Sequence, residues 1–181
     1  MPSAFTQDNL NRFLVGGNVG FMYTESNVND NLLGDYKYNT LSLSISLKAG
    51  YFITERIVSG LQFEWNSIKT NYEMSSIDFY NSINYLITPF FRYYIFYSLF
   101  GQGQFNAGQT MTEISLLNTS SEENYFVLGY GFGLGYDIRL SENVSLEPLL
   151  SYISNKLNDK ETDISMNQNS FYINLGIVIK L

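Results

Sequence analysis

The side chains in this sequence that could transfer protons are mainly carboxylates, because the chain contains neither histidine nor cysteine. Those two absences remove the usual general base, imidazole and thiolate metal ligands, and the Ser-His-Asp and Cys-His nucleophile arrangements. Glu64 and Glu147 remain as an acid/base pair in principle. Interior carboxylates beside Arg and Lys are more often structural than catalytic. The sequence therefore predicts a protein that is not an enzyme and carries no cofactor.

Two further motifs have a chemical and a structural interpretation. Asp159, Glu161 and Asp163 occupy alternate positions and could bind Ca²⁺ weakly, although a solvated acidic loop is the commoner explanation. A glycine series has a spacing of two, which fits neither a dinucleotide-binding fingerprint nor a phosphate-binding loop. Its members lie on one face of a predicted strand, where missing side chains allow tight curvature. They are Gly129, Gly131, Gly133 and Gly135.

Composition narrows the class of protein. Aromatic residues make up 17% of the 181 residues and charged residues only 15%, well below the roughly 25% of ordinary soluble domains. The most apolar run, residues 85–101, contains Pro89 and Arg92, so it does not provide the roughly 20 apolar residues of a membrane helix. The net charge of −7 argues against a nucleic-acid partner. Apolar residues must instead be distributed by alternation.

Period-two alternation is the dominant pattern and predicts β-strands. In residues 41–51, Leu41, Leu43 and Ile45 alternate with Ser42, Ser44 and Ser46. Eight such segments are predicted, each near the roughly 9–11 residues of a tilted membrane strand. They are residues 13–24, 41–51, 57–66, 83–93, 99–108, 125–139, 144–152 and 171–181.

The connections between these strands alternate in length. Short turns are predicted at residues 54–56, 95–98 and 141–143, and long polar loops at residues 26–37, 67–80, 109–123 and 154–168. Short turns at one rim and long loops at the other are typical of bacterial outer-membrane barrels. We therefore predict an all-β, eight-stranded, antiparallel, up-and-down transmembrane β-barrel. Residues 12–181 form its single domain, and residues 1–11 are an N-terminal remnant or periplasmic lead-in.

The two faces of the strands indicate which side is outside. The apolar faces contain no Asp, Glu, Lys or Arg, whereas the opposite faces combine Gly and Ser with isolated charges of both signs. A solvated face would be richer in Lys and Glu, so the polar face is predicted to line the lumen and the apolar face to contact lipid. Because unpaired charges are costly there, a packed network of ion pairs with Gln62, Gln102 and Gln104 is expected. The charged lumen residues are Lys48, Glu64, Arg92, Asp137, Arg139, Glu147 and Lys180.

Aromatic residues near the strand ends predict interface girdles. One belt lies toward the long loops and the other toward the short turns. The predicted members are Tyr23, Trp65, Tyr85 and Tyr152 in the first belt, and Tyr51, Tyr93 and Tyr136 in the second. Pro89 and Pro148 interrupt strands and are expected to produce a bulge or to lie at a rim.

Five segments together resemble the small outer-membrane β-barrel domains of the OmpX and OmpA type, especially the Bacteroidota versions. They are residues 14–21 (LVGGNVGF), 87–94 (ITPFFRYY), 133–140 (GLGYDIRL), 144–148 (VSLEP) and 174–181 (NLGIVIKL). The resemblance covers almost the whole chain and implies a membrane barrel, but it does not imply a task. One departure is Leu181, where many relatives end in Phe.

These features predict a bacterial outer-membrane scaffold or interaction protein that displays four acidic external loops. The loops hold ten acidic and four basic residues. Expected partners are outer-membrane lipid and lipopolysaccharide. An envelope protein is a further expected partner, and with it the chain would be a subunit of a larger complex. The alternatives are a small pore, a lipid-modifying barrel enzyme and a soluble lipocalin-like binder. The loop charges are Asp30, Asp35, Glu73, Asp78, Glu113, Glu122, Glu123, Asp159, Glu161 and Asp163, with Lys37, Lys69, Lys156 and Lys160.

Overall fold

Nine β-strands make up the part of the chain described by the computed structural model, which comprises residues 12–28, 36–72, 79–96, 98–116, 119–159 and 165–181. Within these ranges no helix is long and apolar enough to cross a membrane. All eight predicted strands are present. The strands are β1 (Phe13–Val28), β2 (Tyr36–Thr54), β3 (Ile57–Tyr72), β4 (Phe79–Phe96), β5 (Leu99–Leu116), β6 (Thr119–Tyr136), β7 (Ile138–Arg139), β8 (Val144–Asp159) and β9 (Ser165–Lys180).

The strands form one antiparallel sheet that closes on itself. From β1 to β6 each strand pairs with the next, β6 pairs with β8, β8 with β9, and β9 returns to β1. The two residues of β7 continue the line of β6 beyond Asp137 and pair with β8. Eight long strands therefore form the wall, which confirms the predicted antiparallel up-and-down barrel.

The strands are longer than the sequence pattern predicted. The long strands run for 16 to 19 residues and extend into all four segments predicted as loops. β5 and β6, for example, remain paired as far as Leu116 and Thr119. The alternation of apolar and polar residues fades here because paired strands outside a membrane can be wetted on both faces. We call this end the outer rim; its links, residues 29–35, 73–78, 117–118 and 160–164, lie outside the described residues.

The apolar faces point away from the lumen, as predicted. Phe21, Leu47 and Phe105 are exposed on the outside of the wall. Their neighbours with the opposite parity, such as Ser46 and Asn106, are buried. A sheet that exposes its apolar face all around and encloses a polar face is inverted relative to a soluble barrel.

The predicted effect of Pro89 and Pro148 is wrong. Pro89 pairs with Leu61 on β3, while the ladder to β5 is interrupted between Ile87 and Phe90 without any change of register. Pro148 likewise pairs with β9. On its other side, the ladder of β8 passes from β6 to β7. It is interrupted between these two strands, and the register is the same before and after the gap. Each ring lacks one N–H donor, so the ladder is interrupted locally without a bulge, and neither proline lies at a rim.

Candidate functional site

The lumen is closed near the short-turn rim by a cluster of buried apolar side chains, which we call the floor. Phe52 and Leu149 pack against it from the sides. The Phe52 ring is stacked on Tyr94, with the ring centroids 6.1 Å apart. Tyr94 also contacts Phe100, at 5.5 Å. The members of the floor are Leu14, Val58, Phe90, Tyr94, Phe100 and Val178.

Arg92 lies over the floor and is fully buried. Its guanidinium carbon is 3.8 Å from the centroid of the Phe100 ring, within the range of a cation–π contact. It donates to both carboxylate oxygens of Glu147, from Nη1 at 2.7 Å and from Nη2 at 3.1 Å. Nε and Nη2 also donate to Oε1 of Gln102, at 3.2 and 2.9 Å. This two-pronged geometry is the one in which arginine and carboxylate bind most strongly.

Lys48 adds a second cation to Glu147, with its Nζ 2.6 Å from Oε2. Glu147 thus joins residues from three strands, β2, β4 and β8, across the lumen. A separate ion pair joins Lys180 of β9 to Asp137, between β6 and β7. The Nζ of Lys180 also lies 5.5 Å from the Tyr94 ring. Five of the seven predicted lumen charges are therefore ion-paired around the floor.

The other two predicted lumen charges have different surroundings. Glu64 accepts a hydrogen bond of 2.8 Å from Gln62 on its own strand. Arg139, on β7, is exposed at the short-turn rim.

A polar cavity lies between the floor and the outer rim. It has a volume of about 270 Å³ and is bounded below by Lys48 and Glu147. Amide side chains form a ladder along one side, in which Gln102 donates to Gln104 at 3.3 Å and Gln104 to Asn106 at 3.1 Å. Asn106 then donates to Asn155 across the lumen at 2.9 Å. The lumen is thus a cup with a sealed floor, and its walls combine amide and hydroxyl side chains with the carboxylate of Glu64 and a few apolar side chains.

The glycine series makes the floor and the amide ladder possible. A Cβ at Gly135 would lie 2.3 Å from the Phe100 ring, and one at Gly129 would lie 2.0 Å from Oδ1 of Asn155. Both distances are far below van der Waals contact. Gly135 therefore leaves the space that the aromatic floor occupies, which is a more specific role than the curvature predicted from the sequence.

All seven predicted girdle residues are placed on the outer face of the wall. Trp65 of β3 and Tyr85 of β4 are directly paired. Tyr152 contacts Phe171 with ring centroids 5.1 Å apart. Near the other rim, Tyr51 contacts Phe13 edge-on at 5.4 Å, while Tyr93 and Tyr136 are exposed. Tyr23 is likewise exposed, near the outer rim.

The sequence reasoning missed the aromatic floor. Phe90, Tyr94 and Phe100 lie on the inner faces of their strands, where the alternation pattern predicts polar residues. A signal was available, since these residues share the parity of Arg92 and Gln102 in their strands. Bulky apolar side chains on an otherwise polar face indicate that the lumen is filled at that height.

The acidic motif at Asp159, Glu161 and Asp163 falls mostly outside the described residues, since residues 160–164 are not described. Among the residues that are described, no group of three or more His, Cys, Asp or Glu side chains is close enough together to hold a metal ion.

Similarity to known proteins is found at the level of structure. No protein-family model matches the sequence, and no curated protein matches it significantly. Ail, the attachment invasion locus protein of Yersinia pestis, has a TM-score of 0.55 and 16% identity, over 93% of this chain and 99% of that chain. The neisserial surface protein A has a TM-score of 0.49 and 18% identity, over 93% and 97%. With its closed, inverted sheet and its likeness to Ail, the chain has the fold of the small bacterial outer-membrane β-barrels.

Proposed function

We propose that this protein is a non-enzymatic, non-conducting barrel of the bacterial outer membrane whose outer rim binds another molecule. The observation that carries the proposal is the sealed floor. Arg92, Glu147 and Phe100 are fully buried side chains at the centre of the lumen. A barrel closed in this way offers its wall to lipid and its outer rim to the surroundings.

The floor favours this function over that of a small pore. A conducting path would have to cross a layer in which an arginine is stacked on a phenylalanine and paired through both guanidinium prongs. Eight strands leave an interior that side chains can fill completely. We therefore expect ions to enter the cup from the outer rim and to stop at the floor.

The same contacts argue against a lipid-modifying enzyme. Both carboxylate oxygens of Glu147 are engaged by Arg92 and Lys48, which stabilises the ionised form and leaves it a poor general base. Glu64 bonds to Gln62 rather than to a nucleophile. A soluble lipocalin-like binder is disfavoured because the large apolar side chains point outward.

Charge at the outer rim supports a role in recognition. Glu113 and Glu122 are directly opposite each other on β5 and β6. Like charges in opposite positions destabilise a strand pair, so this pair does not contribute to holding the hairpin together. An acidic rim attracts cations and basic surfaces, such as an envelope protein or the ions that bridge lipopolysaccharide. In the first case the chain is a subunit of a larger envelope complex.

Planar-bilayer recordings test the proposal. The wild-type protein should give no steady conductance. Phe100→Ala removes the ring beneath Arg92 and should produce a measurable leak. Phe105→Ala on the same strand is the matched control, because Phe105 is exposed on the outer face and its loss leaves the floor intact. Large, stable steps from the wild-type protein would contradict the proposal and favour the pore.

A further inference from the structure

The wall has one incomplete seam, between β1 and β9. The ladder joins residues 14–17 to residues 177–180 and then stops, although both strands continue for the rest of their 16 residues. The other ladders between long neighbours continue almost to the outer rim, as in the pairing of β1 with β2 up to Val28 and Tyr36. Within the described residues, the barrel is therefore closed at the foot of this seam and unladdered above it.

Exposure of the side chains supports this opening independently. The four most exposed large apolar residues of the described wall all flank the seam: Ile173 at 84%, Phe171 at 78%, Val19 at 72% and Phe21 at 71%. In the laddered foot, Val15 and Ile179 fall to 44% and 41%. Side chains on paired neighbouring strands cover one another, and these four lack that cover on one side.

The register identifies the backbone groups at the open edges. Phe13 and Leu181 exchange two backbone hydrogen bonds, of 2.9 and 2.8 Å. Counting from this pair, every second residue along each strand therefore points both its backbone N–H and its C=O across the seam. Those residues are Val19, Phe21 and Tyr23 on β1, and Phe171, Ile173 and Leu175 on β9. All six side chains are apolar or aromatic and exposed, which places this stretch within the membrane band.

An open strand edge is not stable in that position. The hydrocarbon region offers no hydrogen bonds, each unsatisfied backbone group there costs several kcal/mol, and sheet edges occur at membrane depth only where protein covers them. An acyl chain would fill the space without satisfying the amides. An extended backbone carries donors and acceptors at the spacing of both edges, as in strand addition to a sheet.

We propose that the open part of this seam is a docking site for an extended β-strand of another polypeptide. This inference goes beyond the proposed function, which concerns the rim. The flanking side chains define the strand that fits: apolar outward, beside Val19 and Ile173, and polar inward. On the inner side Asn18, Tyr172 and Asn174 line the polar cavity, so polar inward side chains of the docked strand would meet polar neighbours there.

Disulfide trapping tests whether the two edges meet each other. The chain has no cysteine of its own, so double variants report on the introduced pair alone. Val15→Cys with Ile179→Cys lies in the laddered foot and should oxidise readily in phosphatidylcholine vesicles. Val19→Cys with Leu175→Cys has the same hydrogen-bonding parity and should fail to oxidise. Complete oxidation of the second pair would show a closed seam and overturn the proposal.

A peptide probe tests the occupant. A synthetic peptide copying residues 169–177, with Leu175→Cys, should form a disulfide with the Val19→Cys protein. It should not react with the Leu47→Cys protein, because Leu47 is also exposed but its strand is laddered on both sides. Equal labelling of both proteins would overturn the proposal. So would a covalent dimer of the Val19→Cys protein without peptide, which would make a second copy the occupant. Gel mobility of unboiled samples verifies that each variant is folded, and the bilayer recordings are independent of either result.

Discussion

At the scale of single residues, Glu147 is the residue on which the lumen network depends. It is the shared partner of Arg92 and Lys48, so one buried carboxylate offsets two cations. Removing one member of a buried ion pair leaves the remaining charge without compensation, and this costs more than the pair itself contributes. The stability of the network therefore depends more on where each charge lies than on the number of ion pairs.

We predict that Glu147→Gln lowers the free energy of unfolding by about 3–5 kcal/mol, because it leaves buried cations uncompensated. Lys48→Met should cost less, since Arg92 and Glu147 then remain paired and Lys48 lies at the edge of the cavity. Urea titrations in lipid vesicles, followed by circular dichroism, measure both. Equal losses for the two variants would mean that the network does not depend on Glu147 in particular.

The sequence predicted these charges but not their pairing. Alternation places Lys48, Arg92 and Glu147 on the inner face, because facing depends only on parity along each strand. Which residues meet across the lumen depends on register and on the height of each residue, and neither is encoded locally. Arg139 illustrates the difference: its parity is inward, yet it is exposed at the short-turn rim.

At the scale of the strands, the sequence predicted which segments form strands and which face of each strand points outward. It did not predict how long the strands are. All eight segments became strands because apolar and polar residues alternate wherever one face meets lipid. The extensions beyond the membrane, such as the outer end of β5, lack that contrast and were predicted as loops. The two prolines are a related case. A proline within a strand pattern indicates that one backbone N–H is missing, but the sequence does not distinguish an interrupted ladder from a bulge.

We predict that Leu47→Lys destabilises the barrel by roughly 2–4 kcal/mol, because Leu47 faces lipid near the middle of β2. Ser44→Lys on the same strand is the control. Ser44 lines the polar cavity, which has room for a longer polar side chain and no lipid to exclude a charge. Refolding titrations in vesicles compare the two, and a harmless Leu47→Lys beside a severe Ser44→Lys would reverse inside and outside.

At the scale of the whole molecule, charge is unevenly distributed between the two rims. The outer rim and its links hold most of the net charge of −7. The other rim carries Glu55 and Glu142 in its turns together with Arg56 and the exposed Arg139. A field of this kind acts mainly on association rates and is screened by salt.

We predict that Glu113→Gln with Glu122→Gln slows the association of a lysine-rich peptide at low salt while leaving the barrel as stable as before. The double variant removes two like charges that oppose each other, so no favourable contact is lost. Glu55→Gln with Glu142→Gln changes the net charge equally at the opposite rim. Surface plasmon resonance at several salt concentrations compares them. If both variants slow association to the same degree, net charge rather than the outer rim attracts the peptide.

The short ladder between β1 and β9 also affects how the chain reaches its final form. Its partners, residues 14–17 and 177–180, stand at opposite ends of the sequence, so their meeting carries the largest loop-closure entropy of any pairing in the barrel. Every hairpin can form before it. Until it forms, the edges of β1 and β9 are free over their whole length, and once it forms only the part beyond residues 14–17 and 177–180 stays unladdered; a free edge is a template for aggregation. Folding therefore proceeds with the least risk of aggregation when both free edges are kept from other copies until residues 177–180 pair with residues 14–17.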